Sequence, residues 1–340
     1  MLFFGNIVGI LLVLGSILLA TTVGIIDIPI SQIGLIIANK LGLISSDMVN
    51  MSFHEIIWEL RLPRVLLATF SGAGLALCGT VMQASVQNPL AEPYILGTAA
   101  GASLGAVAAI LFGSSAVFLG LGVSFWAFVG AMVATIIVLS LSGKDSSVSA
   151  VRLVLAGAVV NALFGALANF IVYVANDAEG MRNAAFWTMG SLASARWDVI
   201  WLPILAVCVV AVFFLYRIRQ LNAMLLGEEA AITLGINLAK ERRIYLILTA
   251  LLTGIIVSVC GVFGFVGLIV PHIVRMLWGN DHRYLLPRSL FAGAIFVIFA
   301  DVVSRILLAS GDLPIGIITA IVGAPLFMHL LFRTNNGLGR

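Results

Sequence analysis

Asp301 and Arg305 stand four residues apart in a run, Ser289–Ala309, that holds no other charge. On a helix that spacing puts both side chains on one face. A carboxylate there could carry coupling protons. It could equally be held by a basic group or a helix end, and that pairing is the expected role. His272 follows Pro271 in the stretch Gly264–Arg275. A lone histidine among apolar residues is a candidate proton or metal group. With no second histidine or carboxylate close by, a structural hydrogen bond is the simpler expectation. Cys78, Cys208 and Cys260 all lie in apolar runs, with no Cys-x-x-Cys, and the histidines are scattered. Neither a disulfide framework nor a Cys/His metal site is predicted. A phosphate loop, Gly-x-x-x-x-Gly-Lys-[Ser/Thr], is also missing: before Gly143-Lys144 the first glycine is replaced by Val138, and Asp145 follows. With no nucleophile–base pair either, the chain is expected to have no catalytic site, no metal site and no cofactor of its own.

The remaining polar residues gather in breaks between apolar runs. Arg61-Leu62-Pro63-Arg64 puts proline where a helix's first turn tolerates it. Two arginines at a helix N-terminus oppose its dipole, so they either snorkel to the interface or form a positive docking patch. Gln83–Gly97 holds two prolines and several amides and reads as a tight turn. Gly227–Asn237 reads as a short amphipathic helix with Glu228 and Glu229 in its first turn and Gly235 near its end. It lies either on lipid headgroups or in a groove of a partner.

The elements that must position these residues are set by composition. The chain has 340 residues, 61% hydrophobic and 10% charged, with mean hydropathy +1.16. Soluble domains carry roughly 25% charged residues, so lipid must replace water around much of this surface. Every backbone group in lipid needs an internal partner, which leaves helices or a closed barrel. Long unbroken apolar runs, rather than period-two alternation, select helices. An all-α integral membrane protein follows. The 34 glycines are read mainly as close-packing positions between helices.

At about 20 residues per crossing, ten spans are predicted, near 2–26, 65–86, 94–112, 116–139, 153–176, 199–216, 244–262, 265–278, 289–309 and 313–332. The first is expected to be retained, since it lacks a basic n-region and an Ala-x-Ala cleavage pattern. Splitting 244–278 at Gly261–Gly264 sets the parity. With both termini cytoplasmic, Lys144, Arg152, Arg217, Arg219, Lys240, Arg242, Arg243, Arg275, Arg283, Arg288, Arg333 and Arg340 fall inside. Lys40, Arg61, Arg64, Arg182, Arg196 and Arg305 fall outside. The bias follows the positive-inside rule. A candidate repeat at an offset of about 182 residues pairs Arg61 with Arg243, Cys78-Gly79 with Cys260-Gly261 and Pro89 with Pro271. Units of spans 2–5 and 7–10 would then be inverted relative to one another. Path-lining candidates chosen by polarity and position are Asn161, Asn169 and Met328.

Five segments carry a family resemblance: Arg61–Arg64, Asn88–Pro93, Trp187–Leu192, Gly264–Arg275, and Leu313–Gly316 leading to Gly323-Ala324-Pro325. Through them the chain resembles the FecCD-type permease subunits of ABC importers for iron–siderophore complexes, haem and vitamin B12. The resemblance covers about 61–332 and implies one transmembrane permease domain of type II importer architecture, in a bacterial or archaeal plasma membrane. It implies a second permease subunit, identical or different, two cytoplasmic ATPase subunits that bind ATP and Mg, and an extracytoplasmic binding protein. It assigns the loop 217–243 to ATPase coupling through Glu228, Glu229, Ala230, Leu234 and Gly235. It assigns Arg61, Arg64 and Arg305 to docking of the binding protein. The implied cargo is a metal chelate, with iron–siderophore placed ahead of haem or cobalamin. An ion-gradient-driven secondary transporter is the alternative that Asp301, His272 and the candidate repeat would suit. An intramembrane enzyme would need paired catalytic residues, which the spans lack.

Overall fold

The computed structural model describes residues 2–24, 26, 28–40, 42–43, 45, 50–113, 122–143, 150–227, 233, 235–308 and 311–337. Among them the regular structure is entirely helical. The chain opens with α1 (Leu2–Thr22), α2 (Ile30–Lys40) and α3 (Met51–His54). A π-helical stretch, Glu55–Arg61, joins α3 to α4 (Leu62–Val86). After a 3-10 turn at Pro93–Leu96 come α5 (Thr98–Leu111), α6 (Gly122–Leu141), α7 (Ala150–Val174) and α8 (Ala178–Thr188). Then follow α9 (Trp197–Tyr216), α10 (Ile218–Leu225), α11 (Leu238–Cys260), α12 (Val266–Trp278), α13 (His282–Ile306) and α14 (Ile315–Gly337).

Among the described residues, seven helices or helix runs have the length and hydropathy to cross a membrane: Phe4–Thr22, Met51–Val86, Gly122–Leu141, Val151–Val174, Trp197–Tyr216, Leu238–Cys260 and His282–Ile306. The other three predicted spans meet shorter apolar helices, Thr98–Leu111, Val266–Trp278 and Ile315–His329. The 13 residues of α12 reach about 20 Å at 1.5 Å per residue, against a hydrocarbon core of about 30 Å. Of these, α5 follows the 3-10 turn at Pro93–Leu96 and α12 follows the non-helical stretch Gly261–Phe265.

Pro63 does not start a helix, as its position suggests; the helix runs on from Met51. Proline lacks the N–H that would bond four residues back. The wide π turn just before it, closed by the Leu62 N–H on Ile57 O, takes up that defect. Three further helices, α2, α8 and α10, were not anticipated as distinct elements.

Burial places α4 at the centre. In its hydropathic window 89% of residues are buried, against 17% for α1 at the periphery. Two backbone contacts bring neighbours onto α4. A Cβ on Gly72 would lie 2.2 Å from Gly293 O of α13, and one on Gly79 would lie 1.8 Å from Gly267 O of α12. No side chain fits at either point, which is how small residues serve helix packing in lipid. α11 runs antiparallel to α4: Cys260 Sγ lies 3.2 Å from Ser71 Oγ, while Cys78 Sγ reaches Thr249 O at 3.7 Å. The bundle therefore has two ends, named here by Arg64 and by Arg217.

Candidate functional site

At the Arg64 end, α4 begins, and α1 and α13 stop. The last carbonyls of α1 lack intrahelical partners, and two arginines supply them. Arg61 donates through one guanidinium nitrogen to Thr21 O at 2.9 Å and Thr22 O at 2.8 Å, and through the other to Ile26 O. Arg305 donates to Ala20 O at 2.9 Å and Val23 O at 3.1 Å. Two cations at a helix C-terminus also complement its dipole. Asp301, 1% exposed, lies between Arg64 at 2.8 Å and Arg305 at 3.1 Å. Arg64 holds Asp312 with its other branch.

Arg61 and Arg305 are 8% and 6% exposed, not an open surface patch. With Arg64 and Asp312, they line one cavity of about 360 Å³. The structure thus brings together all three arginines proposed from sequence. The i,i+4 spacing of Asp301 and Arg305 signalled their pairing. Nothing in the sequence marked Asp312 or the α1 carbonyls as partners, because carbonyls have no residue signature. Arg196 pairs with Asp198 at 2.6 Å on the exposed surface.

Between the ends, Trp187–Leu192 meets Leu313–Gly316, and Asn88–Pro93 meets Gly264–Arg275. Gly190, with φ +76°, accepts from Ile315 N, while Ser191 N donates to Cys260 O at 2.8 Å. Met189 O takes the Gly316 N–H at 3.1 Å. Irregular backbone at membrane depth survives where protein satisfies it, and these bonds do so. Phe265, at φ +70°, opens α12. Its N–H donates to Glu92 Oε1 at 3.0 Å, and Tyr94 OH donates to Phe263 O at 2.9 Å. Gln83 donates to Leu268 O at 3.2 Å and accepts from Arg275 at 3.0 Å. The expected hydrogen bond of His272 is not formed through Nδ1, a buried atom that meets no partner.

At the Arg217 end, Glu228, Glu229, Ala230 and Leu234 lie outside the described residues. Gly235 is described, in a turn at φ +73°. Just before them, α10 buries Leu221, Ala223 and Met224. Gln87, the left-handed cap of α4, donates to Met224 O at 2.7 Å. Asn222 donates to Asp281 Oδ1 at 2.8 Å and accepts from the backbone N–H of His282 at 2.9 Å. Arg217 pairs with Glu241 at 2.8 Å. The segment is tied to the starts of α11 and α13 and to the end of α4. Partial burial pushes the Asp281 carboxyl up, but the Arg283 N–H, the Asn222 amide and nearby cations outweigh it, and the net shift is down.

Of the path candidates, Asn161 reaches Tyr94 O at 3.5 Å, Asn169 is exposed on α7 and Met328 is 54% exposed on α14. α7 packs on α5 and α6, and α14 on α12 and α13. Among the described residues no group of three His, Cys, Asp or Glu could hold a metal.

The sequence profile of the FecCD transport family matches residues 10–333. The cobalamin import system permease protein BtuC of Halobacterium salinarum is 41% identical over 276 residues, covering 81% of this chain and 73% of that one. The vitamin B12 import system permease protein BtuC of Salmonella paratyphi A is 40% identical over 278 residues, covering 82% and 84%. A solved chain from an inward-facing ABC transporter of the metal-chelate type superposes with TM-score 0.83 at 30% identity, over 96% of this chain and 98% of that one. PsaBC from Streptococcus pneumoniae, solved with a Fab, shares the fold at TM-score 0.52 and 17% identity.

Proposed function

The chain belongs to the FecCD transport family, a family of ABC permease subunits, and from that premise we propose that it is the membrane-spanning subunit of an ATP-driven importer for a metal chelate. The single observation that carries this reading is the superposition on the metal-chelate type transporter over 96% of the chain. Two permease subunits, alike or different, enclose the path, with the exposed faces of α7 and α14 available to a second subunit. Two ATPase subunits bind ATP and Mg and engage α10 and the adjoining residues 228–235. An extracytoplasmic binding protein delivers the cargo at the Arg64 end. Its acidic side chains address the cavity of Arg61, Arg64 and Arg305, where charge complementarity fixes register and speeds encounter. Both termini are then cytoplasmic, in a bacterial or archaeal plasma membrane. Motion of the ATPases opens the path to one side at a time.

The relatives at 40% and 41% identity are named for vitamin B12 and cobalamin, so a corrinoid is the first cargo to test, ahead of an iron–siderophore. Proteoliposomes holding the chain with the ATPase and binding protein of its own importer would be given labelled cyanocobalamin or a ferric hydroxamate. Uptake that needs ATP is the expected result. Uptake by the chain alone under a proton or sodium gradient would overturn the reading.

A further inference from the structure

Two grooves lie along the α6–α11 pair, one towards each end of the bundle. The groove at the Arg217 end has a volume of about 440 Å³ and is walled by Met132, Ile136, Leu139, Ile247 and Leu251, with Arg243 among its lining residues. It runs along α6 from Met132 to the helix end at Leu141, which at 1.5 Å per residue is about 14 Å. That is about half of the 30 Å hydrocarbon core, the depth of one leaflet. Ile136 is 62% exposed and Ile247 42%, so the wall faces outward from the bundle.

The groove asks for hydrocarbon. Its hydroxyls are already spent within α6, Thr135 on Ala131 O at 2.9 Å and Ser140 on Ile136 O at 2.7 Å. Arg243 is exposed at the start of α11, beside exposed Lys240. Among the described residues no carboxylate pairs with it. A cation near a helix N-terminus is opposed by the dipole, so the missing component is an anion at headgroup level.

The groove at the Arg64 end offers an internal contrast. It measures about 480 Å³, is lined by Phe125, Phe128 and Val259, and carries Arg196 already neutralised by Asp198 at 2.6 Å. It has the apolar wall without the unpaired charge.

We propose that the groove between α6 and α11 at the Arg217 end is a binding site for an anionic phospholipid, one acyl chain along Ile136 and Leu139 and the phosphate on Arg243. The site is independent of the transported cargo. In the orientation proposed above it opens to the cytoplasmic leaflet, where anionic lipids attract basic side chains.

The test uses the full chain in detergent micelles doped with equal phosphatidylglycerol and phosphatidylcholine, with retained lipids counted by native mass spectrometry. Wild type is expected to retain phosphatidylglycerol preferentially. Arg243→Gln should lower that preference about fivefold, the ratio equivalent to the ~1 kcal/mol of one basic side chain near a membrane surface. Arg243→Lys should keep most of it, and Arg196→Gln should leave it unchanged. Ile136→Trp, which fills an exposed apolar position, should reduce retention of both lipids. An unchanged preference in Arg243→Gln, or an equal loss in Arg196→Gln, overturns the proposal.

Discussion

Asp301→Ala is the sharpest perturbation of the Arg64 end. In the wild type the carboxylate is 1% exposed and faces Arg64 at 2.8 Å and Arg305 at 3.1 Å, whose side chains are 11% and 7% exposed. Removing it leaves two largely buried guanidiniums side by side. Breaking a buried pair by deleting one partner typically costs about 3–5 kcal/mol, because the survivor is uncompensated. Here each arginine keeps another partner: Asp312 for Arg64, and Ala20 O and Val23 O for Arg305. The lower end, about 3 kcal/mol, is therefore expected. The assay is reversible unfolding of the purified protein in mixed micelles titrated with SDS, followed by helical circular dichroism. The double variant Asp301→Ala/Arg305→Met should recover part of the loss, since it removes one unpaired charge as well. A cost below about 1 kcal/mol, the range of exposed pairs, would refute the view that Asp301 holds this end together. So would a double variant whose cost is the plain sum of the two single ones.

Glu92→Gln and Glu92→Ala should separate charge from hydrogen bonding. Glu92 Oε1 accepts from the Phe265 N–H at 3.0 Å, at the start of α12. Glu92→Gln keeps an acceptor for the Phe265 N–H and should leave stability close to wild type. Glu92→Ala should cost about 1–3 kcal/mol by orphaning the N–H, and unfolding in SDS-titrated micelles distinguishes the two. Gly79→Ala would put a Cβ 1.8 Å from Gly267 O, whereas a Cβ on Gly34 meets nothing within 4 Å. Size-exclusion chromatography should show aggregation or loss for Gly79→Ala and a normal peak for Gly34→Ala. Asp312→Asn removes a 34% exposed carboxylate from Arg64. It should tighten docking of the binding protein at low salt, where exposed charges count most; weaker or unchanged binding by surface plasmon resonance would argue against Arg64 as the receiving group.

Legibility followed what each feature depends on. Apolar run length is a local property, so the long helices sit close to where hydropathy put them. Boundaries slipped where a charge or proline did not end the helix. Pro287 lies inside α13, which begins at His282, seven residues before the predicted span. The short helices after breaks were legible as apolar pieces, but whether each crosses depends on non-helical backbone held by Gly190 and Glu92, and no local pattern records such long-range bonds. The three arginines were legible by type. Their burial was not, because the groups that bury them are carbonyls of α1. The helix α10 was hidden because its eight residues bury only Leu221, Ala223 and Met224, too short a pattern to stand out beside the spans.

These placements bear on how the two ends communicate. α4 carries Arg64 at one end and Gln87 at the other, and every residue from Ser71 to Val86 is buried. Its backbone touches α13 at Gly293 and α12 at Gly267 with no side chain between. Packed cores of this kind transmit displacement rather than absorb it, because they lack voids to collapse into. In the proposed importer, a push delivered to α10 reaches α4 through the Gln87–Met224 bond and α13 through the Asn222–Asp281 bond. The same two helices carry Arg64, Asp301 and Arg305 at the far end. On that proposal, the ionic cluster assigned to binding-protein docking is built on the two helices that α10 contacts at the other end.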